Sequence, residues 1–582
     1  MFVFLARDGS CGQNALGSSA MYDWVQVYDP LGSPLWSTLL ATLPIIALLG
    51  LLAGGLDAPK SALAGLIIAL AVAIFGFGMP TDAALASAGY GACFGLLPIG
   101  WIVVAAVFLF HLTVKSGQFE IVKRSVAALS PDRRVQALLI AFCFGTFIEG
   151  AAGFGTPVAI CAALMIGLGF SPLYAAGLAL IANTSPVAFG ALGTPIITLA
   201  KVSGLDEMSL CQMAGRQLPF FSLIVPAWLV AVMSGWRGVV GCWPAIAVCG
   251  GTFALLQFVM ANYHGPALVD VVGGLGSLIV LAVMLRFWQP GQIWRFPDEP
   301  PAAEMKTQIP LTTGQIVYAW MPWVFLSVLV FTWGWPSVKV ALNGGTPDHP
   351  NALAGYTKLT RPVPYLDHRI YRTKPVAPVA EGSDRAAEPE KAVLETPWLA
   401  TTGTGIFLAA ILSALWLRIP AKEFIIQFGR TVWEMRWALF TIAAMLALAF
   451  TTKYGGSDAT MGLAFTHTGP LYPFFAPLLG WLGVALTGSD TSSNALFGSL
   501  QRITAEQLGL NPVLIVASNS TGGVMGKMID AQSIVVAAVA TEQKGGEGKI
   551  LRFVFLHSVV LAALVGVLTM VQAYLLTWMI PG

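Results

Sequence analysis

Charged residues are scarce in this sequence of 582 residues, where Asp, Glu, Lys and Arg together make up 10%. In a soluble protein about a quarter of the residues are charged. The formal net charge is only +2, so no strongly basic surface indicates nucleic-acid binding, and we expect no nucleic-acid partner. The composition is instead 56% hydrophobic, with 62 glycines and 18 tryptophans, which is typical of packed helices that cross a bilayer.

Patterns for disulfides, metals and nucleotides are also missing. The seven cysteines are scattered and form no CxxC pair, which favours small buried residues over a disulfide framework or a metal site. No HExxH motif occurs, and GGVMGKM (522–528) lacks the spacing and the Ser or Thr of a phosphate-binding loop. We therefore expect neither an enzyme nor a nucleotide-driven pump, and no metal and no cofactor.

Residues 1–34 are interpreted as an N-terminal extension. The apolar part of the first twenty residues is too short for a signal peptide and has no helical stripe. Met21 opens a more regular stretch and is a candidate initiator, and a short disordered extension is the alternative.

Long apolar runs fill most of the remaining chain. A spanning helix needs about 20 apolar residues. About twelve segments meet this requirement. They are 35–54, 61–79, 93–114, 171–199, 216–234, 238–260, 266–287, 315–335, 397–417, 433–451, 513–541 and 552–580.

Two further apolar stretches, 136–166 and 473–502, are interrupted at the middle by glycine and polar residues. They are predicted to be re-entrant hairpins, which dip into the membrane and return. Irregular backbone at membrane depth survives only inside protein or against a water-filled cavity.

Lys and Arg in short loops predict the orientation of the chain, because such loops stay in the cytoplasm. Four segments are rich in these residues: 115–134, 286–306, 418–436 and 543–552. If all four are cytoplasmic, both termini and the polar loop 336–396 lie outside. The first hairpin then enters from the cytoplasm and the second from outside.

This topology predicts two inverted repeats, a common plan of transporters. The first transmembrane repeat is 35–234 with hairpin 136–166, and a connecting helix pair and cytoplasmic loop occupy 235–314. The second repeat is 315–582, with loop 336–396 and hairpin 473–502. The predicted fold is thus an all-α polytopic membrane protein with about 12 transmembrane helices and two re-entrant hairpins.

Four long motifs lie at the hairpins and just after them. They are FCFGTFIEGAAGFGTPVAI (142–160), LYAAGLALIANTSPVAFGALGTPI (173–196), GWLGVALTGSDTSSNALFGSLQ (480–501) and ASNSTGGVMGKMIDAQSI (517–534). The sequence resembles the bacterial L-lactate permease family at these motifs and along nearly the whole chain from about residue 21. The resemblance implies uptake of L-lactate, and also of D-lactate and glycolate, by proton symport across the inner membrane. It assigns no role to a single residue.

Each hairpin carries one carboxylate near its tip, Glu149 and Asp490. A carboxylate at membrane depth is costly and usually functional, and burial favours its protonated form. Both are therefore candidates for proton coupling. The alternative is a structural role, in which backbone amides donate hydrogen bonds to Glu149 and neighbouring hydroxyls donate hydrogen bonds to Asp490. The residues predicted to shape the backbone of the hairpins are Gly150, Gly153, Gly155, Ser489 and Ser492.

Polar residues interrupt one apolar span in each half, and we expect the backbone to unwind at both places. Freed N–H groups and half-helix N-termini favour anions. The predicted substrate-binding residues are Asn183, Thr184, Ser185, Ser518, Asn519, Ser520, Thr521 and Lys527. The alternative for the breaks is hydrogen bonding between helices. For Lys527 it is an ion pair with Asp530 at helical spacing.

A proton-coupled importer of lactate and glycolate, with membrane lipid as its surroundings, is the function these features favour. A lactate anion entering a negative cell costs about 2.3 kcal/mol per 100 mV, which one proton cancels. Sodium coupling and other carboxylate substrates remain alternatives, although few intramembrane cations are present for a di- or tricarboxylate. A passive channel fits the paired broken repeats less well. The oligomeric state is not indicated.

Overall fold

The computed structural model describes residues 24–153, 155–296, 311–345, 349–376, 389–543 and 546–582. The interpretation of the first 23 residues, with Met21 as initiator, falls outside these ranges. Parts of the loops 286–306 and 336–396 and of segment 543–552 also fall outside.

The described chain is mainly helical, as predicted. The helices of the first half are α1 Pro34–Ala53, α2 Ala58–Ala71, α3 Thr81–Phe94, α4 Gly100–Lys115, α5 Gln118–Ala127, α6 Arg133–Ala137, α7 Gly145–Ala151, α8 Thr156–Gly167, α9 Pro172–Ala182, α10 Gly190–Ser203, α11 Glu207–Tyr263 and α12 Val269–Met284.

The second half repeats much of this order. Its helices are α13 Thr313–Gly334, α14 Pro336–Leu342, α15 Thr402–Trp416, α16 Ala421–Gly455, α17 Ser457–Phe465, α18 Tyr472–Thr487, α19 Asp490–Gln507, α20 Pro512–Gly526, α21 Ala531–Ala540 and α22 Glu547–Tyr574. In both halves a long helix, a short helix, a helical hairpin and a broken helix follow one another.

Four short strands form two small sheets outside the helices. Strand β1 (Trp24–Val25) pairs in parallel with β3 (Ile370–Tyr371). Strand β2 (Leu359–Pro362) pairs antiparallel with β4 (Val393–Thr396). The sheets therefore tie the N-terminal segment and the described parts of loop 336–396 together.

Ten helices among the described residues are long and apolar enough to cross a membrane, or twelve if each bent pair is one span. The number agrees with the predicted spans, although Arg133–Ala151 and Ser457–Thr487 contain arms of the predicted hairpins. Conversely, Glu207–Tyr263 is counted once but covers two predicted spans, and Thr402–Trp416 is too short to be counted. The predicted spans 216–234 and 238–260 correspond to α11, which breaks at Gly235 (φ 67°, ψ −173°). The span predicted at 397–417 is shorter, since α15 has 15 residues.

The predicted span 93–114 begins too late. A π-helical turn at Gly95–Ile99 joins α3 to α4, and the combined helix Thr81–Lys115 has 35 residues. The first part is rich in glycine and alanine, so its apolar signal is weak. Those small residues allow close contact with α16: a Cβ on Gly91 would lie 2.2 Å from the carbonyl oxygen of Leu446.

Both predicted hairpins are present as two helices joined by a tight turn. The first arm of hairpin 136–166 is the helix Arg133–Ala151, and the second arm is α8. Gly153 (φ 59°) and Gly155 (φ 78°) turn the chain between them, in a backbone region that favours glycine. All residues of the first arm are buried, so protein surrounds this arm on every side.

Hairpin 473–502 is formed by α18 and α19 and turns at Gly488 (φ 73°). The side chain of Ser489 caps α19 by accepting a hydrogen bond from the backbone N–H of Ser492 (3.3 Å). The predicted hairpin residues Ser489 and Ser492 therefore fix the start of the second arm.

Candidate functional site

A cavity of about 80 Å³ lies where the turns of the two hairpins meet the two broken helices. This is the place where broken repeats hold substrates and ions in transporters. It is lined by Glu149, Gly153, Val187, Gly190, Ala191, Thr194, Pro195, Gly488, Ser489, Asp490, Thr491, Lys527 and Gln532. The sequence therefore predicted three of its charged side chains, on three separate helical elements.

Glu149 lies near the end of the first hairpin arm and is 4% exposed. Its Oε2 atom has no hydrogen-bond partner among the described residues. Its electrostatic neighbours are Lys527, Asn183 and Asp530. The other carboxylate oxygen lies against the backbone of Gly190, where an added Cβ would approach it to 2.5 Å. Glycine at this position thus leaves room for the carboxylate.

Asp490 is the first residue of α19 and is 3% exposed. Its Oδ2 atom accepts hydrogen bonds from Ser520 Oγ (2.5 Å) and Asn494 Nδ2 (3.2 Å). Its Oδ1 atom has no partner in the described part of the chain. Side chains therefore hold one face of Asp490, whereas Glu149 has no such support.

Lys527 places a buried positive charge at the cavity. Its Nζ atom donates to the carbonyl of Gly488 (2.6 Å) and lies 3.2 Å from Asp530 Oδ2. The ion pair weighed from the sequence is thus present, but it spans a break and not a regular helix. Asp530 in turn caps α21 by accepting from the backbone N–H of Ser533 (2.7 Å).

The first broken helix unwinds where it was predicted to. Helix α9 ends at Ala182, and the chain bends by 61° before α10 continues. The amide of Asn183 and the hydroxyl of Ser185 have no hydrogen-bond partner among the described residues. Thr184 Oγ1 donates to the carbonyl of Ile181 (2.8 Å). Two of the three predicted side chains are therefore buried with unused hydrogen-bonding groups.

Helix α10 opens with a left-handed turn that borders the cavity. Ala191, Leu192 and Gly193 have φ values of 44°, 58° and 80°. Such a conformation is costly for the two residues that have a side chain, and strain of this kind is concentrated at functional sites. The right-handed part of the helix then begins beside the cavity at Thr194.

The second break is not where the sequence predicted it. Residues Ser518–Thr521 lie within the continuous helix α20, and the chain breaks at Lys527–Asp530, with a bend of 42°. The polar side chains do not unwind α20 because it packs tightly against α18: a Cβ on Gly480 would lie 1.9 Å from the carbonyl oxygen of Asn519. Asn519, Ser520 and Thr521 form hydrogen bonds between helices, which was the alternative interpretation.

This hydrogen-bond network surrounds the cavity but does not line it. Asn519 Nδ2 donates to Asn494 Oδ1 (2.8 Å), and its Oδ1 accepts from Gln501 Nε2 (2.9 Å). Thr521 Oγ1 donates to Gln217 Oε1 (2.8 Å), and Ser518 Oγ donates to the carbonyl of its own helix at Ile515 (2.7 Å). Only Ser520 contacts a cavity side chain directly.

Three helix N-termini border this cavity. They belong to α19, to α21 and to the right-handed part of α10, which contribute Asp490, Gln532 and Thr194 to the lining. A helix N-terminus carries about half a positive charge. Together with Lys527, these ends favour a small anion in the cavity.

Several residues of the site were missed by the sequence analysis. Thr194, Thr491 and Gln532 line the cavity, and Asp270 lies buried against the first hairpin. Thr491 lies between the predicted residues Asp490 and Ser492, whereas Gln532 lies five residues after Lys527. Asp270 carried a clear signal, a lone carboxylate within the apolar span 266–287, which was not used.

The many spans and the charged, buried cavity define a multi-pass membrane protein of the transporter class. The sequence model of L-lactate permease matches residues 37–576. The chain therefore belongs to the L-lactate permease family. As the sequence predicted, it is a permease of the bacterial inner membrane and not an enzyme.

Curated relatives match the chain along almost its whole length. The L-lactate permease of Salmonella typhimurium is 48% identical over 96% of this chain and 100% of its own length. The glycolate permease GlcA of Escherichia coli K12 is 46% identical, and the L-lactate permease of Bacillus subtilis is 45% identical, with the same coverage.

Two solved transporter structures are more distant. The YdaH transporter of Alcanivorax borkumensis has 14% identity and a TM-score of 0.42, over 83% of this chain and 86% of that one. MtrF of Neisseria gonorrhoeae has the same identity and TM-score, over 85% and 84%.

Proposed function

We propose that this protein imports L-lactate, and also D-lactate and glycolate, by symport with a proton. The relatives named L-lactate permease and glycolate permease support this class of substrate. The observation that carries the proposal is the cavity itself. It combines Lys527, three helix N-termini and the unpartnered carboxylate of Glu149.

The substrate carboxylate is proposed to bind beside Lys527, at the N-termini of α19, α21 and α10. The hydroxyls of Thr194, Ser489 and Thr491 line the same cavity and can meet the 2-hydroxyl group of lactate. Among the described lining residues Lys527 is the one cationic side chain, which suits one substrate carboxylate better than two or three. Asn183 and Ser185, with Thr184 between them, are proposed to add free hydrogen-bonding groups next to Glu149.

Residues Ser518–Thr521 are proposed to act on substrate binding through the hydrogen-bond network. Ser520 holds Asp490, and Asn519 holds Asn494, which also donates to Asp490. They therefore set the position of the second hairpin carboxylate at the cavity.

Glu149 is proposed to carry the coupling proton, with Asp490 as the second candidate. The cavity region has one cation, Lys527, against the carboxyl groups of Glu149, Asp490 and Asp530. If all three were ionised, a lactate anion would add to an uncompensated negative charge in a buried site. Protonation of Glu149 lowers that repulsion by one negative charge, so lactate and a proton bind more favourably together than either does alone.

The two halves are proposed to be inverted repeats that give alternating access. The matching order of long helix, short helix, hairpin and broken helix supports this proposal. So does the reciprocal packing, in which the second arm of each hairpin contacts the second part of the other half's broken helix, α8 with α21 and α19 with α10. Domain boundaries follow the predicted repeats, 35–234 and 315–582, with 235–314 between them.

The test is transport by the purified protein in proteoliposomes. We expect labelled lactate to exchange across the membrane without any gradient. We also expect it to accumulate when a pH gradient, acid outside, is imposed without sodium. Excess glycolate and D-lactate should compete, whereas succinate and citrate should not.

The opposite result favours the alternative function. If lactate accumulates on a sodium gradient at equal pH, and not on a pH gradient, the coupling ion is sodium and not the proton. If succinate or citrate competes at the same concentrations as unlabelled lactate does, the substrate class is di- or tricarboxylates instead.

A further inference from the structure

Asp270 is a buried carboxylic acid outside the lining of the cavity. It lies in the first turn of α12 and is 1% exposed. Both of its carboxylate oxygens are buried and have no hydrogen-bond partner among the described residues. Its position in the fold therefore leaves its charge almost uncompensated.

Two other buried carboxyl groups, Asp132 and Asp490, have partners. Asp132 forms an ion pair with Arg134 (2.7 Å) and accepts from the backbone N–H of Trp294 (2.9 Å). Asp490 accepts from two side chains. Since Asp270 has neither kind of partner, a purely structural role does not explain why an acid is buried there.

Asp270 contacts the hairpin arm that carries Glu149. A Cβ on Gly150 would lie 2.7 Å from Asp270 Cβ, and a Cβ on Gly274, one turn further along α12, would lie 2.5 Å from the backbone nitrogen of Phe147. These glycines bring the two helices together at the residue next to Glu149. Asp270 thus lies against the backbone of Gly150, the residue next to Glu149, at the interface of α7 and α12.

Glu149 is also the charged group that acts on Asp270. Helix α12 packs against α7, α10, α11, the π-helical turn Leu138–Phe144 and the short turn Pro266–Leu268. From all of these elements, in the described chain, Glu149 is the one titratable side chain that influences the charge of Asp270. Glu149 in turn faces Lys527 and Asp530 on the side of the cavity.

We propose that Asp270 and Glu149 form a carboxyl pair that shares the coupling proton, with Asp270 as the site that exchanges it with Glu149. The proton leaves an Oδ atom of Asp270 and is bound by an Oε atom of Glu149. Asp270 then carries the negative charge until it takes up another proton. Two neighbouring carboxylates in a buried site do not ionise together at low cost, so one proton stays with the pair. The N-terminus of α12 stabilises the ionised form of Asp270 during the exchange.

This inference rests on the proposed proton coupling, so wild-type proteoliposomes must first accumulate lactate on a pH gradient. Asp270→Asn is then expected to lower that accumulation by at least about tenfold, because a proton-transfer group is lost. Exchange of internal for external lactate needs no net proton movement and should stay within about threefold of wild type.

The matched control is Asp458→Asn. Asp458 is also a buried carboxyl, 2% exposed, but it lies at the start of α17 outside the cavity lining. This variant should accumulate lactate as wild type does. Asp270→Glu keeps a titratable group and should restore most of the accumulation. A folded Asp270→Asn that accumulates lactate normally, or that loses exchange as well, would overturn the proposal.

A second measurement does not depend on the folding of a variant at position 270. Lactate is added to Glu149→Gln in a weakly buffered detergent solution, and proton uptake is followed with a pH dye. Because the amide of Glu149→Gln cannot accept the proton of Asp270, the proposal requires that this variant binds lactate without proton uptake. Proton uptake by this variant equal to that of wild type would refute the pair. If wild type itself takes up none, the proposed proton coupling fails instead.

Discussion

Each hairpin holds a carboxylate close to its turn, with Glu149 near the end of the first arm and Asp490 at the start of the second, and their surroundings differ. Asp490 is fixed by the hydroxyl of Ser520 and the amide of Asn494. Glu149 has an oxygen without a close hydrogen-bond partner in the described chain, and the amide of Asn183 is the polar side chain that faces this carboxylate. The difference separates a carboxylate that is held in position from one that is free to exchange protons and ligands.

Duplication of an element therefore does not imply duplication of its role. The sequence treats the two hairpins as equivalents, each with an acid among small or hydroxylated residues. The structure distinguishes them by partners that lie far away along the chain, such as Ser520 on α20. One inverted half can supply a rigid binding surface while the other supplies the group that changes protonation.

The sharpest test of the comparison is whether the hairpins enter from opposite sides. Ala128 precedes the first hairpin and His467 precedes the second, and both are exposed. In a protein with Cys11 and Cys93 replaced by serine, we expect His467→Cys to react with an impermeant maleimide in intact cells. Ala128→Cys should react only after permeabilisation, because the positively charged loop 115–134 is cytoplasmic. If both cysteines are labelled from the same side of the membrane, the two hairpins are not inverted relative to each other.

The next largest effect is expected on coupling. Glu149→Gln should lower accumulation of lactate on a pH gradient by about 100-fold or more, since it removes a proton-transfer group, and should leave exchange largely intact. Asp490→Asn keeps an oxygen that accepts from Ser520, so its accumulation should fall by no more than about threefold. Transport in proteoliposomes measures both. Equal losses in the two variants would mean that both carboxylates couple the proton.

Substrate affinity should separate the two polar stretches. The amide of Asn183 has no close hydrogen-bond partner in the described chain and faces Glu149, so Asn183→Ala should weaken lactate binding by about 10- to 150-fold with little loss of stability. Asn519→Ala removes the donor to Asn494 Oδ1 and one of the two acceptors of Gln501 Nε2, and should lower the stability by about 0.6–2 kcal/mol. Calorimetric binding and thermal unfolding in detergent give the two values. If Asn183→Ala folds normally and binds lactate unchanged, the first break is structural.

The smallest effects concern single hydroxyls. Ser520→Ala removes a hydrogen bond between helices and should cost about 0.6–2 kcal/mol, with a weaker fixation of Asp490. Thr184→Val removes a hydrogen bond that Thr184 makes within its own turn, and should cost less than about 0.5 kcal/mol. Thermal unfolding of both variants in the same detergent compares them. A larger cost for Thr184→Val would mean that its hydroxyl has a partner in another conformation.

Local signals in the sequence located most of the architecture. Apolar runs found the spans, and glycine with polar residues at the middle of 136–166 and 473–502 found the hairpins. The acids Glu149 and Asp490 and the cation Lys527 were recognised because charge is costly at membrane depth. All three line one cavity.

What could not be predicted depends on contacts between distant segments. The stretch 518–521 has the composition of a helix break, but α18 packs against it and keeps it helical. The sequence does not indicate that a helix begins at Thr81, because the glycines and alanines of its first part are only weakly apolar. This part is stabilised by packing against α16. Partners such as Gln217 and Thr521 lie 304 residues apart, and no periodicity indicates such a pair.

The complete burial of the first hairpin arm, Arg133–Ala151, constrains how the protein is assembled during synthesis. The helices that enclose this arm include α11 and α12, which are translated after it and end at Met284. The arm has no lipid-facing side of its own, so its polar tip cannot rest stably in the bilayer until those helices are in place. The newly made hairpin must wait at the membrane surface or in the insertion machinery. Maturation of the transport site is therefore a late, post-insertion event.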